Sequence, residues 1–134
     1  MKSWLMLLVL ALPGGALANE MSAKDLSREI LELKSYAAEG QLVLQNYRAG
    51  KVTDKFVKTH SEKVVDALKD SEKKLAKPAT ESVEPKRKQA QTMAQKLREG
   101  FEQLRKSPPD SAKIEALAAE FEKIRRALEG GPDA

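Results

Sequence analysis

The chain of 134 residues contains no cysteine, and this absence excludes several kinds of protein. Without thiols there can be no disulfide, no thiolate zinc site and no cysteine nucleophile. Small secreted animal domains are usually held together by disulfides, so if the chain is exported, the absence of cysteine favours a bacterial periplasm. The fold must therefore depend on its hydrophobic core alone.

Histidine is nearly absent as well, since His60 is the single one. Two metal ligands on one helix must lie three or four residues apart. Around His60 those positions hold Phe56, Val57, Lys63 and Val64. We therefore expect no metal site and no cofactor, and we interpret His60 as a partly buried side chain with one hydrogen bond. A b-type haem is disfavoured because His60 and Met93 would lie roughly 10 Å apart in height.

The sequence also lacks the motifs of common enzymes. It has no glycine-rich phosphate loop, no GxSxG turn and no Glu-x-x-His pair for a di-metal site. We expect no catalytic activity. The formal net charge is +4, and basic and acidic residues are interspersed almost throughout. Such mixing is typical of a solvated helical surface, so we expect no nucleic-acid partner.

Long apolar runs are missing except near the N-terminus. Lys2 precedes an apolar stretch from Trp4 to Leu12, and Ala16-Leu17-Ala18 has the small-x-small pattern that signal peptidase accepts. The stretch is short of the roughly 20 residues that span a bilayer. We predict a signal peptide at 1–18, cleavage before Asn19, and a periplasmic or secreted protein. A leader retained as an anchor is the alternative.

Apolar residues in the remaining 19–134 recur at alternating intervals of three and four, which predicts one helical domain. The repeats run from Leu26 to Tyr47, Val57 to Leu75, Ala90 to Leu104 and Ile114 to Leu128. No window alternates with period two, so strands are not expected. We predict an all-α, up-down-up-down four-helix bundle. A three-helix bundle with a loose C-terminal helix is the alternative, and Leu31 and Leu42 leave a homodimer open.

Helix boundaries are marked by capping residues and by proline and glycine. Ser22 and Thr53 are predicted N-caps, Gly50 is suited to end the first helix, and Pro85 fits the first turn of the third. Ser107-Pro-Pro-Asp110 resembles a capping box, with Pro108 as the first helical residue.

Six cations are predicted to meet at one end of the bundle, which we call the basic end. They are Lys73, Lys74, Lys77, Lys86, Arg87 and Lys88. The second triplet stands in the first turn of a helix, where cations oppose the dipole without visible structural gain. We interpret the basic end as the contact site for an acidic protein or an anionic envelope surface.

Two glycines, Gly40 and Gly100, are predicted to face the core at nearly one height, together with the small Ser61. Glycine inside a helix is unfavourable by about 1 kcal/mol relative to alanine, so this layer needs a reason. One explanation for the two glycines is that they let neighbouring helices approach closely. The other is a small cavity for an apolar ligand. The residues of that predicted ligand site are Gly40, Leu44, His60, Gly100 and Phe101.

The function that the sequence favours is a small exported binding or interaction module without catalytic activity. One alternative is a carrier of a small apolar ligand or cofactor in the bundle core. Another is a helical envelope chaperone or spacer, although only Met21 and Met93 remain after cleavage to form a Met-rich surface.

Overall fold

The computed structural model describes residues 20–130, which form four helices. Their bounds are Ala23–Arg48 (α1), Asp54–Leu75 (α2), Glu84–Lys106 (α3) and Ser111–Gly130 (α4). Residues 20–130 contain no strand, and their only extended pairing is an isolated bridge between Met21 and Ala79. The all-helical prediction is confirmed. The predicted signal peptide and its cleavage site lie outside the described residues.

One hydrophobic core draws side chains from all four helices. Helix α4 contributes to this core along its whole length, because its apolar stripe is buried throughout. The stripe consists of Ile114, Leu117, Phe121, Ile124 and Leu128. The fourth helix is thus packed rather than loose. Among residues 20–130, no helix is both long enough and apolar enough to cross a lipid bilayer.

The helices contact one another unequally. The most extensive contacts join α1 to α4 and α2 to α3, whereas no Cα atom of α2 lies within 8 Å of a Cα atom of α4 among the described residues. Helix α1 also contacts α3 across the centre, somewhat more than it contacts its sequence neighbour α2. The glycine layer consists of Gly40 of α1 and Gly100 of α3, and both glycines face Phe121 of α4.

The predicted caps at the first three helix boundaries are confirmed. Ser22 Oγ accepts a hydrogen bond from the Asp25 N–H at 3.0 Å, and Thr53 Oγ1 accepts one from the Phe56 N–H at 3.0 Å. Gly50 follows α1 with φ of 74°, the left-handed conformation in which glycine is preferred. Pro85 lies in the first turn of α3.

The predicted start of the fourth helix is wrong by three residues. Helix α4 begins at Ser111, and Asp110 Oδ1 accepts a hydrogen bond from the Lys113 N–H at 2.8 Å. Pro108 cannot readily be helical because Pro109 follows it, and a residue before proline is pushed towards extended conformations. The cap is therefore Asp110 rather than Ser107.

The segment before α1 is attached to the loop between α2 and α3. The Met21 N–H donates to the carbonyl oxygen of Pro78 at 2.9 Å, and the Met21 side chain is buried in the core. This attachment brings the start of α1 beside the end of α2 and the start of α3, which is where the cations of the basic end are found.

Candidate functional site

Arg87 is the one member of the basic end that is buried, with 7% of its surface exposed. Its guanidinium donates to the Leu75 carbonyl oxygen at the end of α2, and to Glu84 Oε1 at 2.9 Å and Oε2 at 2.5 Å. A fourth, longer contact reaches Gln91 Oε1 at 3.4 Å. Arg87 thus joins two helices, which corrects the interpretation that it lacks a structural role. We leave it out of the contact surface proposed below.

The carboxylate of Glu84 is held ionised by the same contacts. The hydrogen bond from Arg87 is the main cause that lowers the pKa of Glu84 from 4.5 to about 2, and burial opposes it. The Ala79 N–H donates to Glu84 Oε1 at 3.1 Å and lowers the pKa further. Glu84 and Arg87 therefore form a charged pair that fixes the loop between α2 and α3.

The five lysines of the basic end are exposed, but they do not form one patch. Lys74 and Lys77 line a cleft together with Arg28 and Glu29 of α1. Lys86 instead lines a groove with the other side of α1. The N-terminal half of α1 therefore separates the predicted cations into two groups.

The groove beside Lys86 is small and has both apolar and charged sides. Its volume is about 160 Å³, and it is lined by Ser27, Ile30, Leu31, Lys34, Lys86, Gln89, Leu128 and Glu129. We call it the Leu31 groove. Leu31 is 62% exposed and lies in this groove with the buried Leu128. Glu129 on the rim is paired with Arg125 at 2.8 Å, and neither Lys34 nor Lys86 has an ion-pair partner among the described residues.

In the glycine layer, the ring of Phe121 lies against both glycines. A Cβ atom on Gly40 would lie 2.7 Å from Phe121 Cδ2 and Cε2, and one on Gly100 would lie 2.9 Å from Phe121 Cε1. The Phe101 and Phe121 rings stack with centroids 5.0 Å apart. The glycines thus give room to an aromatic ring from α4.

The residues of the predicted ligand site are brought together only in part. Leu44 and Phe101 are fully buried in the core near the glycines. His60 lies at the edge between α1 and α2, where its ring contacts Glu39, the residue before Gly40. An apolar ligand in this layer stays a prediction, and it would require Phe121 to leave its position.

The interpretation of His60 as a partly buried side chain with one hydrogen bond is confirmed. Its side chain is 25% exposed, and its Nε2 lies 3.1 Å from Glu39 Oε1. Its ring stacks on Phe56 with centroids 5.5 Å apart and an angle of 6°. Within residues 20–130, no group of three or more His, Asp or Glu side chains is arranged to hold a metal ion.

Sequence reasoning missed two buried charges that can be found from spacing. Arg87 precedes Ala90 and Ala94 at intervals of three and four, so it continues the buried stripe of α3 towards its N-terminus. Glu29 lies between Leu26 and Leu33 at the same intervals on α1. A charge inside an apolar repeat is therefore the signal that would have identified both.

Comparison of the chain with protein-family models, with curated proteins and with solved structures gives no match. The function must therefore be argued from the geometry and the sequence of this chain.

Proposed function

We propose that this protein is an exported helical binding module without catalytic activity, which binds an acidic amphipathic segment of a partner protein in the Leu31 groove. The leader-like pattern at 1–18 supports export to the periplasm or beyond. The short connections at 49–53, 76–83 and 107–110 support an up-down-up-down course of the four helices.

The observation that carries the proposal is an exposed leucine between two cations that have no ion-pair partner among residues 20–130. Leu31 is the most exposed large apolar side chain of the described chain, and Lys34 and Lys86 line the groove beside it. An amphipathic helix can place its apolar side on such a leucine and its carboxylates beside the lysines. Ile30 and Leu128 supply further apolar surface at the bottom of the groove.

The electrostatics of the groove favour an acidic partner over a neutral one. Because Glu129 is held by Arg125, it does not neutralise the lysines on the opposite side. Lys88 is exposed two residues further along α3 and adds to the positive field at this end. Charges of this kind mainly increase the association rate and the selectivity, and their effect falls with salt.

The test uses synthetic amphipathic helical peptides with Leu on one side and either Glu or Lys on the other. We expect the Glu peptide to bind to the protein and the Lys peptide not to bind, by fluorescence anisotropy at low salt. The double variant Lys34→Glu and Lys86→Glu should lose at least about tenfold in affinity, because both electrostatic contacts become repulsive.

The matched control carries Lys58→Glu and Lys106→Glu, two exposed lysines near the other end of the helices. It has the same net charge and should bind the Glu peptide as the wild type does. Equal losses in both double variants would show a net-charge effect and overturn the proposal. Co-sedimentation with vesicles of anionic phospholipid, without peptide binding, would assign the groove to the envelope surface instead.

A further inference from the structure

The middle of the outward side of α1 carries no charge over about four turns. Its five exposed side chains, which we call the α1 stripe, are Leu31, Ser35, Ala38, Leu42 and Gln45. Both leucines are more than half exposed, and they are two of the three large apolar side chains that are exposed in the described chain. On α2, by contrast, every exposed residue except Phe56 and Thr59 is a lysine or an aspartate.

The spacing of the α1 stripe is that of a helix which pairs with another helix. Its members follow one another at intervals of four, three, four and three, the seven-residue repeat of coiled coils. The outward side of a surface helix is normally polar and charged, because it faces water. Ser35 and Ala38 are small and lie between the two leucines, so a second helix can approach closely at the centre of the stripe. The stripe therefore has the pattern of a helix-pairing surface.

The charges beside the α1 stripe fit a second copy of the same chain in parallel orientation. In a parallel pair, a residue on one flank lies beside the residue five positions further along on the other copy. Lys34 and Glu39 have this separation and lie on opposite flanks. Lys34 has no ion-pair partner among residues 20–130, and Glu39 is 45% exposed and uses only Oε1 for His60. An antiparallel pair with Leu31 opposite Leu42 would instead place Glu32 beside Glu39 of the other copy, which is repulsive.

We propose that the α1 stripe is a homodimer interface, in which two copies pack in parallel with each leucine on its own counterpart and Lys34 beside Glu39 of the other copy. The stripe is ~21 Å long, which is short for a specific interface, so we expect a reversible dimer with a Kd of about 10–100 μM. The inference goes beyond the proposed function. The two surfaces share Leu31 and Lys34, so a second copy and the acidic peptide should compete.

Sedimentation equilibrium of the purified protein over a range of concentrations tests the dimer. Leu42→Lys would place two like charges opposite each other and should raise the dimer Kd at least tenfold. Thr92→Lys makes the same change of charge at an exposed position of α3 and should leave the Kd unchanged. A wild-type protein that stays monomeric up to about 1 mM would overturn the proposal.

A charge exchange tests the predicted ion pair between copies. Lys34→Glu and Glu39→Lys should each weaken the dimer, because each places like charges beside one another. The variant with both substitutions restores opposite charges and should recover most of the lost affinity. A role of either residue in the stability of the single copy would give no such recovery. A double variant as weak as the single ones would contradict the pairing.

Orientation can be measured by disulfide cross-linking, because the chain contains no cysteine of its own. In the parallel dimer Gln45 lies opposite Gln45 of the other copy, so Gln45→Cys should give a covalent dimer under mild oxidation. Gln103→Cys, at an exposed position of α3, should not. Cross-linking of Ala38→Cys without cross-linking of Gln45→Cys would indicate an antiparallel pair and contradict the proposed orientation.

The two proposals can fail separately. Leu42→Lys should lose the dimer and keep the acidic peptide, because Leu42 does not line the Leu31 groove. Lys86→Glu lies on α3, outside the α1 stripe, and should weaken peptide binding while the dimer persists. A monomeric protein that sediments with anionic phospholipid vesicles, and loses this binding in a charge-neutral Leu42→Ser variant, would assign the stripe to the envelope surface and overturn the dimer.

Discussion

In the glycine layer one phenyl ring lies against two glycines and a second phenyl ring, whereas at the basic end one guanidinium is hydrogen-bonded to three other residues. The first region depends on shape, because Phe121 fits only where Gly40 and Gly100 carry no side chain. The second depends on hydrogen-bond partners, because Arg87 is buried and each of its contacts replaces water. The two regions should therefore respond to different substitutions.

Two buried charges near the basic end differ in how well they are partnered. Arg87 is a buried cation with acceptors on both sides of the loop between α2 and α3. Glu29 is a buried anion with one long ion pair and one unpartnered oxygen among the described residues. A well-partnered buried charge stabilises the fold, whereas a buried carboxylate oxygen without a donor is unfavourable.

The largest effect is expected from Arg87→Ala. It would remove the guanidinium donor from the Leu75 carbonyl and from the Glu84 carboxylate, which would keep only the Ala79 N–H. We expect the free energy of unfolding to fall by about 2–4 kcal/mol, as measured by urea denaturation. Lys88→Ala, one residue away and exposed, should change it by less than about 0.5 kcal/mol. A loss below about 1 kcal/mol for Arg87→Ala would show that the contacts of Arg87 do not stabilise the fold.

A smaller effect is expected in the glycine layer from Gly40→Ala. Alanine gains about 1 kcal/mol in helix propensity, but its Cβ would lie 2.7 Å from the Phe121 ring, which cannot move freely beside Phe101. Overpacking of this kind typically costs about 1–3 kcal/mol, so after the gain in propensity we expect a net loss of about 1 kcal/mol, and at most about 2 kcal/mol, in urea denaturation.

Gly50→Ala is the control, because a Cβ there meets nothing within 4 Å and any cost comes from the φ of 74° alone. Combining Gly40→Ala with Phe121→Leu should recover part of the loss in Gly40→Ala, since the smaller side chain gives room to the new methyl group. If Gly40→Ala were instead as stable as the wild type or more so, the ring would have space to shift, and the layer could admit a ligand.

The comparison also shows which features could be predicted from the sequence. Four helices and their caps depend on local spacing, so the patterns around Ser22 and Thr53 are informative without a fold. The number of residues between each glycine and the nearest turn predicts Gly40 and Gly100 at one level, and both do lie against one ring. That the ring is Phe121 depends on how α4 packs on α1, which no local pattern reveals.

At the basic end, too, contacts between different helices could not be predicted from the sequence. The sequence shows six cations near two helix ends, but it does not show that Arg87 reaches the Leu75 carbonyl across the loop. Nor does it show that α1 separates Lys77 from Lys86. Both facts arise from the way α1 packs at this end, beside the loop to which Met21 is hydrogen-bonded.

The smallest effect on stability is expected from a decrease in pH, which protonates one carboxylate at the basic end and one beside the glycine layer. Glu84 at the basic end and Glu122, next to Phe121, both have a pKa lowered from 4.5 to about 2. For Glu122 the main cause is the hydrogen bond from Arg126, followed by those from Arg125 and Gln41. A lowered folded-state pKa contributes stability that is present above about pH 4.5 and is lost as the pH falls towards 2.

We therefore expect Tm to decrease between pH 4.5 and 2 in thermal melts followed by circular dichroism, with both pairs contributing. In Glu84→Gln with Glu122→Gln, Tm at pH 7 should be lower and its decrease in acid shallower, because neither amide titrates. Exposed Glu32 and Glu81 make no ion pair among the described residues and serve as controls, since glutamine at both positions should leave the acid dependence as steep as in the wild type. Parallel curves for the wild type and the Glu84/Glu122 variant would show that these carboxylates are not the groups whose protonation destabilises the fold.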